Sequence, residues 1–199
     1  YKITRKNGNS KYTTALLIMI GTVFIVGLND YETGKRFLDA AKISRDKFNI
    51  GSDMFPFFLQ EYFISHWFYP LHKGIENFRK AHNGLRNNGN IIFANHCISN
   101  LIHSSIIAGR NLDETFDEFK RYKDFIYKLK DPSAEMHYND HIRFYENLIG
   151  QTDSIHTLDK SDSYEEKTAI HLKTTSRLGK FLYYMLKAKL EYIYGNYKS

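Results

Sequence analysis

The side chains that could do chemistry here are histidines, and two of them sit at a spacing that a metal could use. His137 and His141 are four residues apart with Asp140 between them, which on a helix places both imidazoles on one face within reach of a common ion. The zinc-peptidase pattern needs Glu directly after the first His, and Tyr138 stands there. No Glu-xx-His pair of the di-iron bundle type occurs either, so His137 and His141 remain weak metal candidates. His96, Cys97 and His103 share one segment. Adjacent helical residues point about 100° apart, so a Cys97 nucleophile paired with His96 is disfavoured.

Other reaction signatures do not occur. The sequence has no phosphate loop, no Gly-x-Gly-xx-Gly after a strand, no Gly-x-Ser-x-Gly elbow and no Cys-xx-Cys pair. With no cofactor motif and no catalytic set, the expectation is a non-enzymatic chain. Any catalytic domains would lie outside it.

The elements that must position these residues read as helices. Only three prolines interrupt 199 residues, of which 42% are hydrophobic, which favours long helical runs over a turn-rich sandwich. From Leu112 to Lys130 the apolar residues Leu112, Phe116, Phe119, Tyr122, Phe125, Ile126 and Leu129 form a stripe at three-to-four spacing. Asn111 can cap that helix, and Asp131-Pro132 stops it. By the same reasoning helices are expected over 31–48, 54–69, 72–87, 90–108, 134–149 and 163–194, the last broken near Lys173-Thr174-Thr175 and opened by a capping box at Ser163. Residues 150–162 are polar and aperiodic, and read as a mobile loop.

The segment Thr13 to Leu28 carries no charge and follows a basic stretch. It falls short of the roughly 20 residues a bilayer requires. A buried first helix is preferred, with Gly21 permitting close approach of a partner helix. The cadence Gly21-xx-Phe24, Asn29-Asp30, Tyr31-xx-Gly34, Phe37, Ala40, Ala41 reads as a helix pair, and its turn returns in Tyr192-Ile193-Tyr194-Gly195-Asn196-Tyr197. Ending on such a turn, the chain is read as a fragment of something longer.

The formal charge is +6. Basic and acidic residues interleave along most helices, which argues against a nucleic-acid footprint. A lone cysteine, Cys97, fits a reducing, cytoplasmic compartment. Aromatic residues make up 16% of the chain and concentrate between Phe55 and Tyr69, as expected of a helix buried between neighbours. An exposed remainder for a partner is sought on Phe68, Tyr69, Tyr183, Tyr184, Tyr192 and Tyr194.

The stretch from His66 to Leu112 resembles a known type of sequence. His66-Trp67-xx-Pro70 is followed by Gly84-Leu85, then Gly89-Asn90-xxx-Ala94, then Gly109-xx-Leu112. This order is similar to the tetratricopeptide-like helical-repeat region of large bacterial signalling ATPases. Those proteins combine serine/threonine-kinase-like, ATPase and sensor-histidine-kinase domains. Where that family usually has Gly-Asp, this chain has Gly89-Asn90, which keeps a capping acceptor and removes the charge. The resemblance implies an all-α solenoid of antiparallel hairpins, about seven to nine helices in one domain over 1–199. It also implies a regulatory, protein-interaction role in signal transduction, with flanking ATPase and output domains as partners. A protein or small ligand would bind its concave face, and His66, Trp67, Pro70, Gly89, Asn90, Ala94, Gly109 and Leu112 would serve architecture. The alternative is a self-standing helical metal protein or enzyme using His137 and His141.

Overall fold

The computed structural model describes residues 12–47, 54–174 and 176–196, all helix and turn with no strand among them. The polypeptide divides into two compact units, Tyr1–Ala108 and Gly109–Ser199, where the sequence had suggested one continuous array. The division falls at the expected Gly109 turn. No helix among the described residues is long and apolar enough to cross a membrane.

The first unit opens with α1 (Thr13–Thr22), which continues through a wider π turn over Val23–Gly27. Its partner α2 (Tyr31–Lys47) is started by Asp30, whose side chain accepts from the Thr33 N–H at 2.9 Å. Gly21 and Gly34 face each other across this pair. A Cβ on Gly21 would stand 3.1 Å from the Gly34 carbonyl, and one on Gly34 would stand 2.3 Å from Ile25 Cγ1. Stacking of Phe24 on Phe37, with centroids 5.5 Å apart, closes the contact. The expected close approach at Gly21 is thus present. The helix is nevertheless buried on one side only, because Leu16, Met19, Val23 and Val26 face outward.

Helix α3 (Met54–Phe63) was expected to reach residue 69, but it ends early and passes into a single 3-10 turn over Ser65–Trp67. A Phe68 N–H bonded three residues back, to the Ser65 carbonyl, tightens this stretch beyond α geometry. Pro70 then occupies the N-cap of α4 (Leu71–Asn87). Ile75, Phe78, Ala81, His82 and Leu85 form the buried stripe of α4, facing Ala94, Cys97, Ile98, Leu101 and Ile102 of α5 (Ile91–Ile107). Between these two helices, Gly89 holds φ of 72°, and the Asn90 N–H reaches back to the Leu85 carbonyl at 2.8 Å. This is the left-handed helix stop that glycine adopts without strain. Helix α3 packs against α1, α4 and α5, but of its aromatic residues only Phe58 is buried, and Tyr62 is exposed.

In the second unit the expected single helix over 112–130 is two, α6 (Leu112–Lys120) and α7 (Lys123–Lys128). Asn111 caps α6 as the sequence indicated, accepting from the Glu114 N–H at 3.0 Å. The break has a tertiary cause. Tyr138 donates its hydroxyl to the Phe119 carbonyl at 3.0 Å, and the Tyr122 N–H takes the same oxygen at 2.9 Å. The apolar stripe survives the break, because Phe116, Phe119 and Ile126 all stay buried.

Helix α8 (Pro132–Leu148) begins at Asp131, whose carboxylate accepts from the Ser133 and Ala134 N–H groups. It packs against α6, α7 and α10. The last expected helix is interrupted between α9 (Tyr164–Leu172) and α10 (Arg177–Ile193); Thr175 lies outside the described residues. Ser176 caps α10 by accepting from the Gly179 N–H. Ser163, expected to open a capping box, makes no side-chain cap. Its place is taken by Asp159, which accepts from the Glu165 N–H at 2.8 Å, while Glu165 accepts from the Leu158 N–H at 2.7 Å.

Residues 150–162, read from sequence as a mobile loop, are tied down by side chains. Asn147 Nδ2 lies within 3.0 Å of Thr152 Oγ1, the Ser154 carbonyl and the Thr157 carbonyl. Both carboxylate oxygens of Asp153 accept from the Ser161 N–H. Leu158 is fully buried beneath this network. Polar composition marked the segment as loop, but its polar groups bond one another.

Candidate functional site

The first unit contains a cavity of about 440 Å3 between the end of α3, the start of α4 and the end of α5. Three features of the chain put it there. The 3-10 turn after α3 swings Ser65 and His66 to one side, Pro70 redirects the chain into α4, and α5 closes the opposite wall with Asn100, His103 and Ile107. Its volume lies in the range of small-molecule sites.

Glu61 supplies the buried charge in this wall. It is 5% exposed. Its Oε1 accepts from the Ser65 hydroxyl at 2.9 Å and from Gln60 Nε2 at 3.3 Å. Burial pushes its carboxyl pKa up, and hydrogen bonds from Asn77, Ser65 and Gln60 only partly offset this. Lys42 is the cation whose field reaches Glu61, but its Nζ donates to the Tyr69 hydroxyl at 2.8 Å, stands 5.0 Å from that ring's centroid and is 3.9 Å from Asp39. Among the described residues no basic side chain forms an ion pair with Glu61. The sequence did contain a signal for it. Gln60-Glu61 interrupts an otherwise aromatic and aliphatic run from Phe55 to Phe63, and a charge inside such a run is buried or facing a cavity.

The residues singled out from sequence have divided fates. His66 and Pro70 line the cavity, Tyr69 joins them there, and burial lowers the His66 pKa. Trp67 does not line the cavity; its ring is tilted against His66 and Tyr31, with centroids 5.2 and 5.5 Å away. Phe68 is half-buried. Gly89, Asn90 and Ala94 sit at the α4–α5 turn, with Ala94 fully buried and its carbonyl 3.0 Å from His82 Nδ1. Gly109 holds φ of 64°, and Leu112 opens α6.

At the other end, Tyr184 and the 71% exposed Tyr192 are open surface, whereas Tyr183 is 6% exposed and belongs to the core. Tyr183 points inward because it shares the face of Leu186 and Leu190 on α10. Tyr194 is half-buried and donates its hydroxyl to the Asn147 carbonyl at 3.3 Å.

The metal candidates lie in the second unit, on α8. The ring centroids of His137 and His141 are 6.3 Å apart, and His141 Nδ1 is bonded to the His137 carbonyl at 2.6 Å. That bond fixes the His141 ring against its own helix. Among the described residues no group of three His, Cys, Asp or Glu could hold an ion. Cys97 is fully buried in α5, and burial pushes its thiol up to about 12, far from a nucleophile's working range.

Asp140, the residue beside His141, is completely buried. It accepts from the Tyr164 hydroxyl at 2.7 Å through Oδ1, while Oδ2 has no partner. Burial raises its pKa to about 7, with the Tyr164 bond acting in the opposite direction. In the sequence it stands out only as the acid between His137 and His141. No protein family matches this chain, and neither does any curated protein or any solved structure.

Proposed function

We propose that this chain is a non-enzymatic, tetratricopeptide-like interaction module that serves as a regulatory region of a bacterial signal-transduction ATPase or kinase. In this reading it works in the cytoplasm, flanking ATPase and output domains of the same polypeptide carry the catalysis, and the module receives a protein or small ligand. The observation that carries the reading is the packing order of the first unit. Helix α1 contacts α3, and α3 contacts α5, so alternate helices form a row, while α2 and α4 pair with their neighbours in sequence. Alternate-helix contact is how stacked hairpins bury a continuous core. The positions of Pro70 at a helix start, Gly89 at a helix stop and Ala94 at a close helix crossing accord with the resemblance in the sequence.

The test uses the stacking itself, because repeats coupled only to their neighbours open piecemeal. Gly34→Ala places a methyl against Ile25 in the α1–α2 pair. Hydrogen exchange of the whole chain is expected to quicken in α1 and α2 well before α4 and α5. Equal acceleration across all five helices would mean one cooperative bundle and would overturn the repeat reading.

A further inference from the structure

We propose that the cavity between α3 and α5 binds a small organic cation, a primary amine on an aromatic or aliphatic body, with the Glu61 carboxylate as its counter-ion. This names the ligand class of the module reading, and rests on that reading only in treating the cavity as a binding site rather than a reaction centre.

Glu61 is held ready for such a partner. The Ser65 and Gln60 donors fix its Oε1, and its Oε2 lies on the Gly74 side, 4.0 Å from the point a Cβ there would occupy. Buried charges in proteins are paired or hydrogen-bonded, and an acceptor-only carboxylate beside a cavity gains most from a charged donor placed inside it. Lys42 is the cation whose charge acts on Glu61, but it is engaged by Tyr69 and Asp39.

Gly74 leaves one side of Glu61 uncovered. Glycine inside a helix costs about 1 kcal/mol relative to alanine, so a helical glycine calls for a packing reason. Gly21, Gly34 and Gly84 have one: at each, an added Cβ would stand within 3.2 Å of a neighbouring helix. At Gly74 a Cβ would meet nothing nearer than the Glu61 carboxylate oxygen at 4.0 Å. The missing side chain leaves the approach to that oxygen open. Tyr62, Phe78 and Ile107 supply apolar surface to the wall, beside the polar Asn100, His103 and Ser104 of α5; the apolar part suits a hydrocarbon body and allows an ammonium group to lie against aromatic faces.

The test is isothermal titration of the whole chain with three probes of one shape and different charge: phenethylamine, 2-phenylethanol and phenylacetate. The amine is expected to bind about tenfold or more tighter than the alcohol, with phenylacetate weakest. Glu61→Gln, which keeps the shape of the side chain, should reduce the amine to the affinity of the alcohol. Gly74→Leu should block all three probes. Equal or tighter binding of the alcohol or the acid, retention of the amine preference by Glu61→Gln, or no binding of any probe would overturn the proposal. The hydrogen-exchange pattern reports on the repeat reading independently, so either can fail alone.

Discussion

Among the described residues each unit buries one carboxyl group, and the two are handled in opposite ways. Glu61 has several donors and lines a cavity; Asp140 has one donor, an unpartnered second oxygen and no exposed surface. Desolvation is the leading influence on both. What differs is the route to relief. Glu61 can be relieved by a molecule entering the cavity, whereas Asp140, sealed in, can be relieved only by a proton. Burial alone therefore does not make an acid a site; an approach to it does.

The contrast can be broken most forcefully at Asp140. Its folded pKa of about 7 lies above the ordinary aspartate value of 3.8, so between those limits the folded state holds more protons than the unfolded state. Stability is then greatest at the acid end of that window and falls as pH rises through about 7, by at most about 4 kcal/mol from this group. Urea unfolding at pH 5 and pH 8 should show that loss in the native chain and a markedly smaller one in Asp140→Asn. Identical pH dependence in the two proteins would show that Asp140 does not carry a proton in the fold.

A smaller effect is expected at its donor. Tyr164→Phe removes the one hydrogen bond to Asp140 and should cost about 1–3 kcal/mol at pH 8, where the ionised form depends on it most. At pH 5 the cost should shrink, and an equal loss at both values would assign the effect to packing. The smallest effect separates two kinds of glycine. Gly74→Ala should raise stability by about 0.5–1 kcal/mol, whereas Gly34→Ala should lower it through overpacking against Ile25. Thermal unfolding of the pair reads the sign directly, and a loss at Gly74 would mean the cavity wall is tighter than the 4.0 Å clearance implies.

The helices were legible because their apolar spacing is a local property. The stripe from Leu112 to Leu129 is legible in the sequence, its Phe116, Phe119 and Ile126 are buried in the fold, and Asn111 caps it as its type suggested. The break inside that stripe was not legible, because it depends on the Tyr138 hydroxyl reaching the Phe119 carbonyl from another helix. Ser163 failed as a cap for a related reason: the Asp159 carboxylate, six residues back, accepts from the Glu165 N–H and leaves the serine no role there.

The site was half legible. His66 and Pro70 were singled out for architecture and line the cavity as well, whereas Glu61 belongs to no motif or polar cluster in the sequence. A solitary acid in an aromatic run carries more information than a cluster on a charged surface. His137 and His141 drew attention by spacing, which tells only that two side chains share a face; it says nothing of the backbone carbonyl that one of them has taken.

The network around Asn147 has a kinetic consequence. Its three acceptors lie five, seven and ten residues along the chain, and loops of that length close in about 10–100 ns at a small entropic cost. The segment between α8 and α9 can therefore fold on itself before distant helices meet, and the stretch of sequence with the least periodicity becomes an early, local clasp.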